Sequence, residues 1–210
     1  AIREKEFIAE SIISLFHKIY TEKYSGPRME YILRNTIHTA FTVPDATLFT
    51  VYKLLINTGF IKSVIRNLKD ENLLDFWKYE FAQAGDYQKV KMISPITNKI
   101  GRFLFSPTAK RILEQGKSTI DFDEIMNEGK ILLCNVSKGK IGEDNSEVFG
   151  VVIMAKIQLA ALKRARVAMK DRKDFYLYVD EFQNFATPAF AQILSEARKY
   201  KLGAILAHQT

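Results

Sequence analysis

The sequence predicts an α/β protein in which an all-helical half is followed by part of a parallel sheet. Residues 1–116 carry apolar side chains at helical spacing from end to end. In residues 117–210, two short apolar runs, 175–179 and 204–207, lie on either side of a helical segment. Short apolar runs without alternation, joined through a helix, are typical of parallel strands buried on both faces. We therefore expect two domains that meet near residue 116.

The first half is predicted to be a series of helices. Ile8, Ile12, Leu15, Phe16 and Ile19 share one face of the first helix, which ends before a Gly-Pro pair. Further helices are predicted over 29–41, from residue 46 to the glycine at 59, and over 61–68, 73–84, 95–105 and 107–115. The last two begin with Ser-Pro, a cap followed by a first-turn proline.

An aromatic cluster lies within the predicted helix 73–84. Phe76, Trp77, Tyr79 and Phe81 could form a platform on which single-stranded bases stack. Their helical spacing favours the alternative, a position in the helical core.

The second half begins with a short helix and then alternates strands and helices. Asp121 and Glu124 form a capping box, and Gly129 ends the helix that they open. The elements predicted after it are a buried strand over 131–136, a loop over 137–145, a helix over 146–169, the strand 175–179, a helix that begins with Thr187 and Pro188, and a last strand over 204–207. This order predicts a parallel sheet with right-handed crossovers.

Several basic residues of this half could face nucleic acid. The candidates are Lys138 and Lys140 in the loop, and Arg164 and Arg166 in a basic tract that ends the long helix. The tract consists of Lys163, Arg164, Arg166, Lys170, Arg172 and Lys173. Such a tract could bind phosphates without reading sequence, or it could be a solvated helix end. The two lysines could likewise line a channel or lie on plain surface, so both alternatives stay open.

Two adjacent carboxylates follow the strand 175–179. Ligands bind at the carboxyl ends of parallel strands, where Asp180 and Glu181 are expected. Mg²⁺ needs only one or two protein carboxylates, so Asp180 could hold a hydrated Mg²⁺ while Glu181 polarises an attacking water. The alternative is that the two acids only mark where a strand leaves the core.

Composition excludes some classes of site. The chain has 31 Lys and Arg against 24 Asp and Glu, a net charge of +7, which is compatible with DNA binding but only weakly indicates it. Its one cysteine, Cys134, and three scattered histidines form no recognisable metal motif. The most apolar stretch, 148–162, contains Lys156 and Gln158, which favours a core helix over a membrane span.

Combined, the motifs resemble those of a known family. The run "LYVDEFQNF…ILSEARKYKLGAILAHQ", with "FWKYEF", "PITNKIGRFL" and "STIDFDEIMNEGKILLCNVSKG" upstream, resembles the Walker B to sensor region of TraG/TraD-like conjugative coupling proteins. These are ATPases of type IV secretion, related to the FtsK/HerA DNA-pumping motors. The resemblance covers most of the chain, and it implies a partial RecA-like core preceded by an inserted all-α domain.

The resemblance also implies roles for individual residues. Asp180 would support Mg²⁺ and Glu181 would be the catalytic carboxylate. Arg198 matches an arginine finger that acts across a subunit boundary, although the helix dipole alone would explain a base there. Gln209 matches the polar sensor of the γ-phosphate. The implied cofactors are ATP and Mg²⁺, and the implied partners are DNA, a homo-oligomeric ring expected to be a hexamer, and the secretion channel and relaxosome proteins.

One motif of the family does not occur in this sequence. The chain has no G-x-x-x-x-G-K-[ST] phosphate loop, which the family places upstream. We therefore expect an internal piece of a larger motor at the cytoplasmic face of the bacterial inner membrane, inactive alone, with any membrane anchor outside it. The alternatives are a protein-secretion or pilus-assembly ATPase, and a non-enzymatic docking module for secretion partners.

Overall fold

A computed structural model describes residues 2–19 and 26–208 of the chain. The protein is mostly helical and has a small parallel sheet, so the predicted α/β class is confirmed at that level. Contacts divide it into two compact units. Unit 1 is Ala1–Lys5 with Phe16–Lys117, and unit 2 is Glu6–Leu15 with Ser118–Thr210. The sequence division at residue 116 differs from this in one respect, because it assigns the whole first helix to the helical half.

The regular secondary structure described in unit 1 is helical. Their bounds are α1 Ile2–Ile19 (which also contributes to unit 2), α2 Pro27–Ala40, α3 Leu48–Ile56, α4 Thr58–Ile65, α5 Glu71–Asp75, a π-helical turn Phe76–Phe81, α6 Asp86–Leu104 and α7 Pro107–Leu113. Among the described residues no single helix is long and apolar enough to cross a membrane. The pair α3 and α4 reaches that length and composition only when joined, and the chain bends by 107° between them.

The aromatic cluster belongs to the core of unit 1. Phe76, Trp77 and Phe81 are buried, and the Trp77 indole nitrogen donates a hydrogen bond of 2.8 Å to the Thr39 hydroxyl. A buried indole N–H needs such a partner. Only Tyr79 of the four is largely exposed. The core interpretation is therefore confirmed for three of them.

Two helix boundaries of unit 1 differ from prediction. Gly59 does not end α3, because Asn57 ends α3 and its side chain accepts a hydrogen bond from the Phe60 N–H to open α4. Pro95 does not open a helix but lies inside the 19-residue α6. The missing N–H of Pro95 costs one hydrogen bond, which the rest of this long helix tolerates. By contrast, Ser106 caps α7 and Pro107 opens it as predicted.

Unit 2 contains the sheet and the helices that pack against it. Its elements after the end of unit 1 are α8 Phe122–Glu128, α9 Lys138–Ile141, α10 Glu143–Lys163, 3₁₀ turns Arg164–Arg166 and Met169–Asp171, β1 Phe175–Val179, a 3₁₀ turn Phe182–Asn184, α11 Pro188–Glu196, a 3₁₀ turn Ala197–Tyr200 and β2 Leu202–Leu206. The core joins α8, α10, α11 and one face of the sheet through residues such as Met126, Ile157, Leu177, Phe190 and Leu202.

The predicted strand 131–136 is wrong. These residues lie outside any helix or strand, and Ile131 and Leu133 are 89% and 90% exposed. A strand requires a neighbour with which to pair, and the described residues supply none to this segment. An apolar run indicates that a segment prefers burial, but it does not indicate that a neighbouring strand is present to pair with it. The predicted loop after it also differs, since it folds into α9 and the first turn of α10.

The sheet consists of β1 and β2, which run parallel with Phe175 opposite Leu202 and Val179 opposite Leu206. One expectation is corrected. The strands are not buried on both faces, because Tyr176 is 61% and Tyr178 is 73% exposed while Leu177 packs in the core. The Tyr176 ring lies over Gly203, where a side chain would meet it at 2.8 Å.

Candidate active site

The ends of the two strands lie side by side at one edge of the sheet. Beyond the last strand pair, the Ala207 N–H donates to the Val179 carbonyl at 2.8 Å. The Phe182 N–H in turn donates to the Ala207 carbonyl at 2.9 Å. Because the strands are parallel, the chain that leaves β1 through Asp180 and Glu181 therefore runs beside the chain that leaves β2.

The turn after β1 holds its two carboxylates in a defined geometry. The Glu181 N–H donates to Oδ1 of Asp180 at 3.0 Å, and Nε2 of Gln183 donates to Oε2 of Glu181 at 2.6 Å. Glu181 has a φ of +52°, in the left-handed region that side chains other than glycine rarely adopt. Strained backbone of this kind persists where the surroundings impose it, and it is concentrated at functional sites.

Helix α10 supports this turn from the core side. Phe185 closes the turn and is buried against Gly150 of α10. A Cβ atom on Gly150 would lie 2.0 Å from Cδ1 of the Phe185 ring, so only glycine permits this approach. This contact could not be predicted from the sequence, because a glycine inside a helix usually indicates only a position where the helix is less stable.

Lys138 of α9 forms an ion pair with Glu143 and interacts more weakly with the charge of Glu181. Its Nζ atom lies 2.9 Å from Oε1 of Glu143, and this hydrogen bond is the main cause that raises the pKa of Lys138. Desolvation, the next largest effect, lowers the pKa of Lys138, and the charges of Glu143, Glu147 and, least of all, Glu181 raise it. The sequence left Lys138 open between the lining of a channel and plain surface, and in the structure it is exposed and paired with Glu143. Lys140, on the same short helix, is exposed.

Arg198 lies at the other edge of the sheet. It is exposed on the 3₁₀ turn Ala197–Tyr200, which leads into the start of β2. Glu181 follows the end of β1, so a five-residue strand of about 16 Å separates the two edges. Within one chain, Arg198 and Glu181 are therefore not brought together. Gln209, the predicted sensor, lies outside the described residues.

The predicted basic tract contains both exposed and buried side chains. Arg166 is exposed. Arg164 is 1% exposed, and its guanidinium donates hydrogen bonds to protein oxygens. The nucleic-acid role considered for Arg164 is therefore corrected, because phosphates have no access to a buried side chain. Lys163, its neighbour, forms an ion pair with Asp123 at 2.8 Å.

The residues present fit a hydrated magnesium ion. No group of three or more His, Cys, Asp or Glu side chains that could enclose a metal occurs among the described residues. Mg²⁺ bound through one carboxylate, water and phosphate oxygens requires no such group. Asp180 is exposed, and one of its oxygens accepts the Glu181 N–H, which leaves the other for a water or a metal.

Comparisons of the chain with protein-family models, with curated proteins and with solved structures found no match. The function is therefore inferred from the residues of the site and from the motifs in the sequence.

Proposed function

We propose that this chain is the Walker B part of a ring-forming, P-loop ATPase that moves DNA, of the kind found in conjugative coupling proteins. One observation carries the proposal. The acidic turn after β1 is hydrogen-bonded to the chain that leaves β2, at the carboxyl ends of two parallel strands. This is the edge at which parallel α/β sheets bind their ligands.

The two carboxylates have separate roles in this proposal. Asp180 is exposed and would hold Mg²⁺, which when bound would neutralise charge on the phosphates of ATP. Glu181 is partly buried, is oriented by Gln183 and would polarise the attacking water. Gln209 would contact the γ-phosphate.

Arg198 would act on the site of a neighbouring subunit. Its position at the far edge of the sheet supports action between subunits, since it is separated from Glu181 of its own chain by the length of the strands. A guanidinium stays charged and binds phosphate through two hydrogen bonds, which suits it to stabilise a phosphoryl transition state.

The test is ATP hydrolysis by the full-length protein carrying Glu181→Gln. We expect kcat to fall by about 10²–10⁴, the usual contribution of a positioned base. Thermal stability should change little, because the substitution keeps the size of the side chain. Glu128→Gln, at an exposed residue of the same unit, is the control and should retain activity. Turnover of Glu181→Gln close to that of the unaltered protein would contradict the catalytic assignment.

The nature of the cargo is tested by adding DNA to the same assay. We expect DNA to stimulate hydrolysis at low salt and the stimulation to weaken as salt rises, because phosphate contacts release counterions. Hydrolysis that depends on Glu181 but does not respond to DNA would instead favour a protein-secretion or pilus-assembly ATPase.

A further inference from the structure

Arg164 is a buried cation whose hydrogen bonds converge on several segments of unit 2. The side chain is 1% exposed, in the 3₁₀ turn that follows α10. Its guanidinium donates to the carbonyl oxygens of Lys173 at 2.8 Å, of Tyr200 at 2.9 Å and of Met126, and to Oδ1 of Asn127 at 3.1 Å. A charge this deeply buried is tolerated because protein oxygens replace its water.

These acceptors lie where elements end or begin. Met126 and Asn127 are in the last turns of α8, Lys173 precedes β1, and Tyr200 ends the 3₁₀ turn before β2. One side chain thus joins the end of α8 to the beginnings of both strands. This is the edge of the sheet opposite the acidic turn.

A second arginine of the same basic tract holds the same turn. Arg172 donates from Nη1 to the Lys199 carbonyl and from Nε to the Val167 carbonyl, the latter at 2.9 Å. Arg164 also lies 3.5 Å from the carbonyl oxygen of Lys201. The carbonyls of three consecutive residues, 199–201, therefore receive hydrogen bonds from two arginines that sequence reasoning had considered for DNA.

The turn needs this support because its geometry is unusual. The carbonyls at the end of a helical turn have no partners within the turn itself. Lys201, which follows, has a φ of +52°, again in the left-handed region. Such a conformation is retained when surrounding contacts hold it in place. Arg198 lies in this turn with its own side chain exposed.

We propose that Arg164 is a positioning residue that holds the turn Ala197–Tyr200 against the starts of the two strands, and so fixes the place from which Arg198 is presented to a neighbouring subunit. The inference rests on the proposed function, in which Arg198 completes the site of a neighbour. Arg172 supports the same turn through its hydrogen bond to the Lys199 carbonyl. Neither residue contacts nucleotide.

The experiment uses full-length protein with Arg164→Lys. Lysine keeps the charge but lacks the planar set of N–H donors with which the guanidinium reaches several carbonyls. Because a buried variant can fail to fold, Arg172→Gln is made in parallel. Lys156→Gln, at an exposed basic residue of α10, is the control. Each is assayed alone and in assemblies mixed with Glu181→Gln subunits, whose own sites are inactive but whose Arg198 turn is intact.

We expect Arg164→Lys to lower kcat at least about tenfold, part of the 10³–10⁵ that an arginine finger contributes, with little change in KM for ATP. Mixing with Glu181→Gln subunits should restore activity, because intact turns then serve the intact sites of the Arg164→Lys subunits. Arg172→Gln should show a smaller loss and the same rescue. A purely structural defect would damage the variant's own site, and mixing would not restore it.

Three outcomes separate the inference from the proposed function on which it rests. If Arg198→Ala is inactive alone and is rescued by Glu181→Gln subunits, action between subunits is supported. If that pair complements but Arg164→Lys and Arg172→Gln retain full activity, or lose it without rescue, the positioning role is overturned while the function stands. If Arg198→Ala and Glu181→Gln do not complement, the cross-subunit function fails, and the positioning role fails with it.

Discussion

Gly150 shows how one residue can shape the site without taking part in chemistry. Its missing side chain lets α10 approach the Phe185 ring, and Phe185 closes the turn that carries Glu181. Both residues are part of the buried interior of unit 2.

We expect Gly150→Ala to lower the free energy of unfolding by about 1–3 kcal/mol, because the added methyl overlaps the ring and the packed core does not absorb it freely. Urea denaturation would measure the loss. Gly139→Ala is the matched control, since a side chain there meets nothing within 4 Å. Adding Phe185→Leu should make the combined loss smaller than the sum of the single losses. Full additivity would contradict the contact.

Glu181 differs from Gly150 because its backbone is strained and its side chain is polar. A glycine would adopt a φ of +52° more easily, so the glutamate is retained at an energetic cost. The hydrogen bond from Gln183 fixes the orientation of this side chain, which suits the catalytic role that we propose for it.

At the scale of elements, the caps of unit 2 follow local rules. Asp121 accepts hydrogen bonds from the Asp123 and Glu124 N–H groups at the start of α8, and Thr187 accepts one from the Phe190 N–H at the start of α11. Gly129 ends α8 with a φ of +75°. These predicted boundaries are confirmed because a cap involves only residues within a few positions of one another.

We expect Gly129→Ala to destabilise the protein by about 1 kcal/mol, since alanine is strained at a positive φ. Thermal unfolding followed by circular dichroism would measure the change. Gly85→Ala, at an exposed glycine without a positive φ, should change the midpoint little. An equal effect of both substitutions would show that the loss reflects glycine in general and not the left-handed cap.

At the scale of the whole molecule, the chain contains two units with separate cores. Leu54 of α3 is fully buried in unit 1. Ile13 of α1 is buried and belongs by its contacts to unit 2, although it lies more than one hundred residues before the remainder of that unit. Unit 2 is therefore assembled from two distant parts of the sequence.

This division predicts where stability is lost when each core is weakened. Leu54→Ala should reduce protection against hydrogen exchange in α2 and α3, and Ile13→Ala should reduce it in α10 and β1. Each change should amount to about 2–5 kcal/mol, as is usual for a large aliphatic side chain cut to alanine in a core. Hydrogen exchange read by mass spectrometry resolves the two. Loss of protection confined to α2 and α3 in the Ile13→Ala variant would contradict its assignment to unit 2.

The sequence alone was enough to predict the helical character of the first half, the capped ends of α7, α8 and α11, and the parallel strands that bring an acidic turn to one edge of a sheet. These features depend on hydrophobic period and on local hydrogen bonds, both of which can be read from neighbouring residues. The catalytic roles of Asp180, Glu181, Arg198 and Gln209 stay predictions.

Only the tertiary structure decided the features that depend on distant partners. It buried Arg164 among the carbonyls of three segments, brought Gly150 against Phe185, left residues 131–136 without a neighbouring strand and exposed one face of β1. A side chain carries its charge and size in the sequence. Whether that charge meets phosphate or a backbone carbonyl depends on which segments fold around it, and no local pattern encodes that choice.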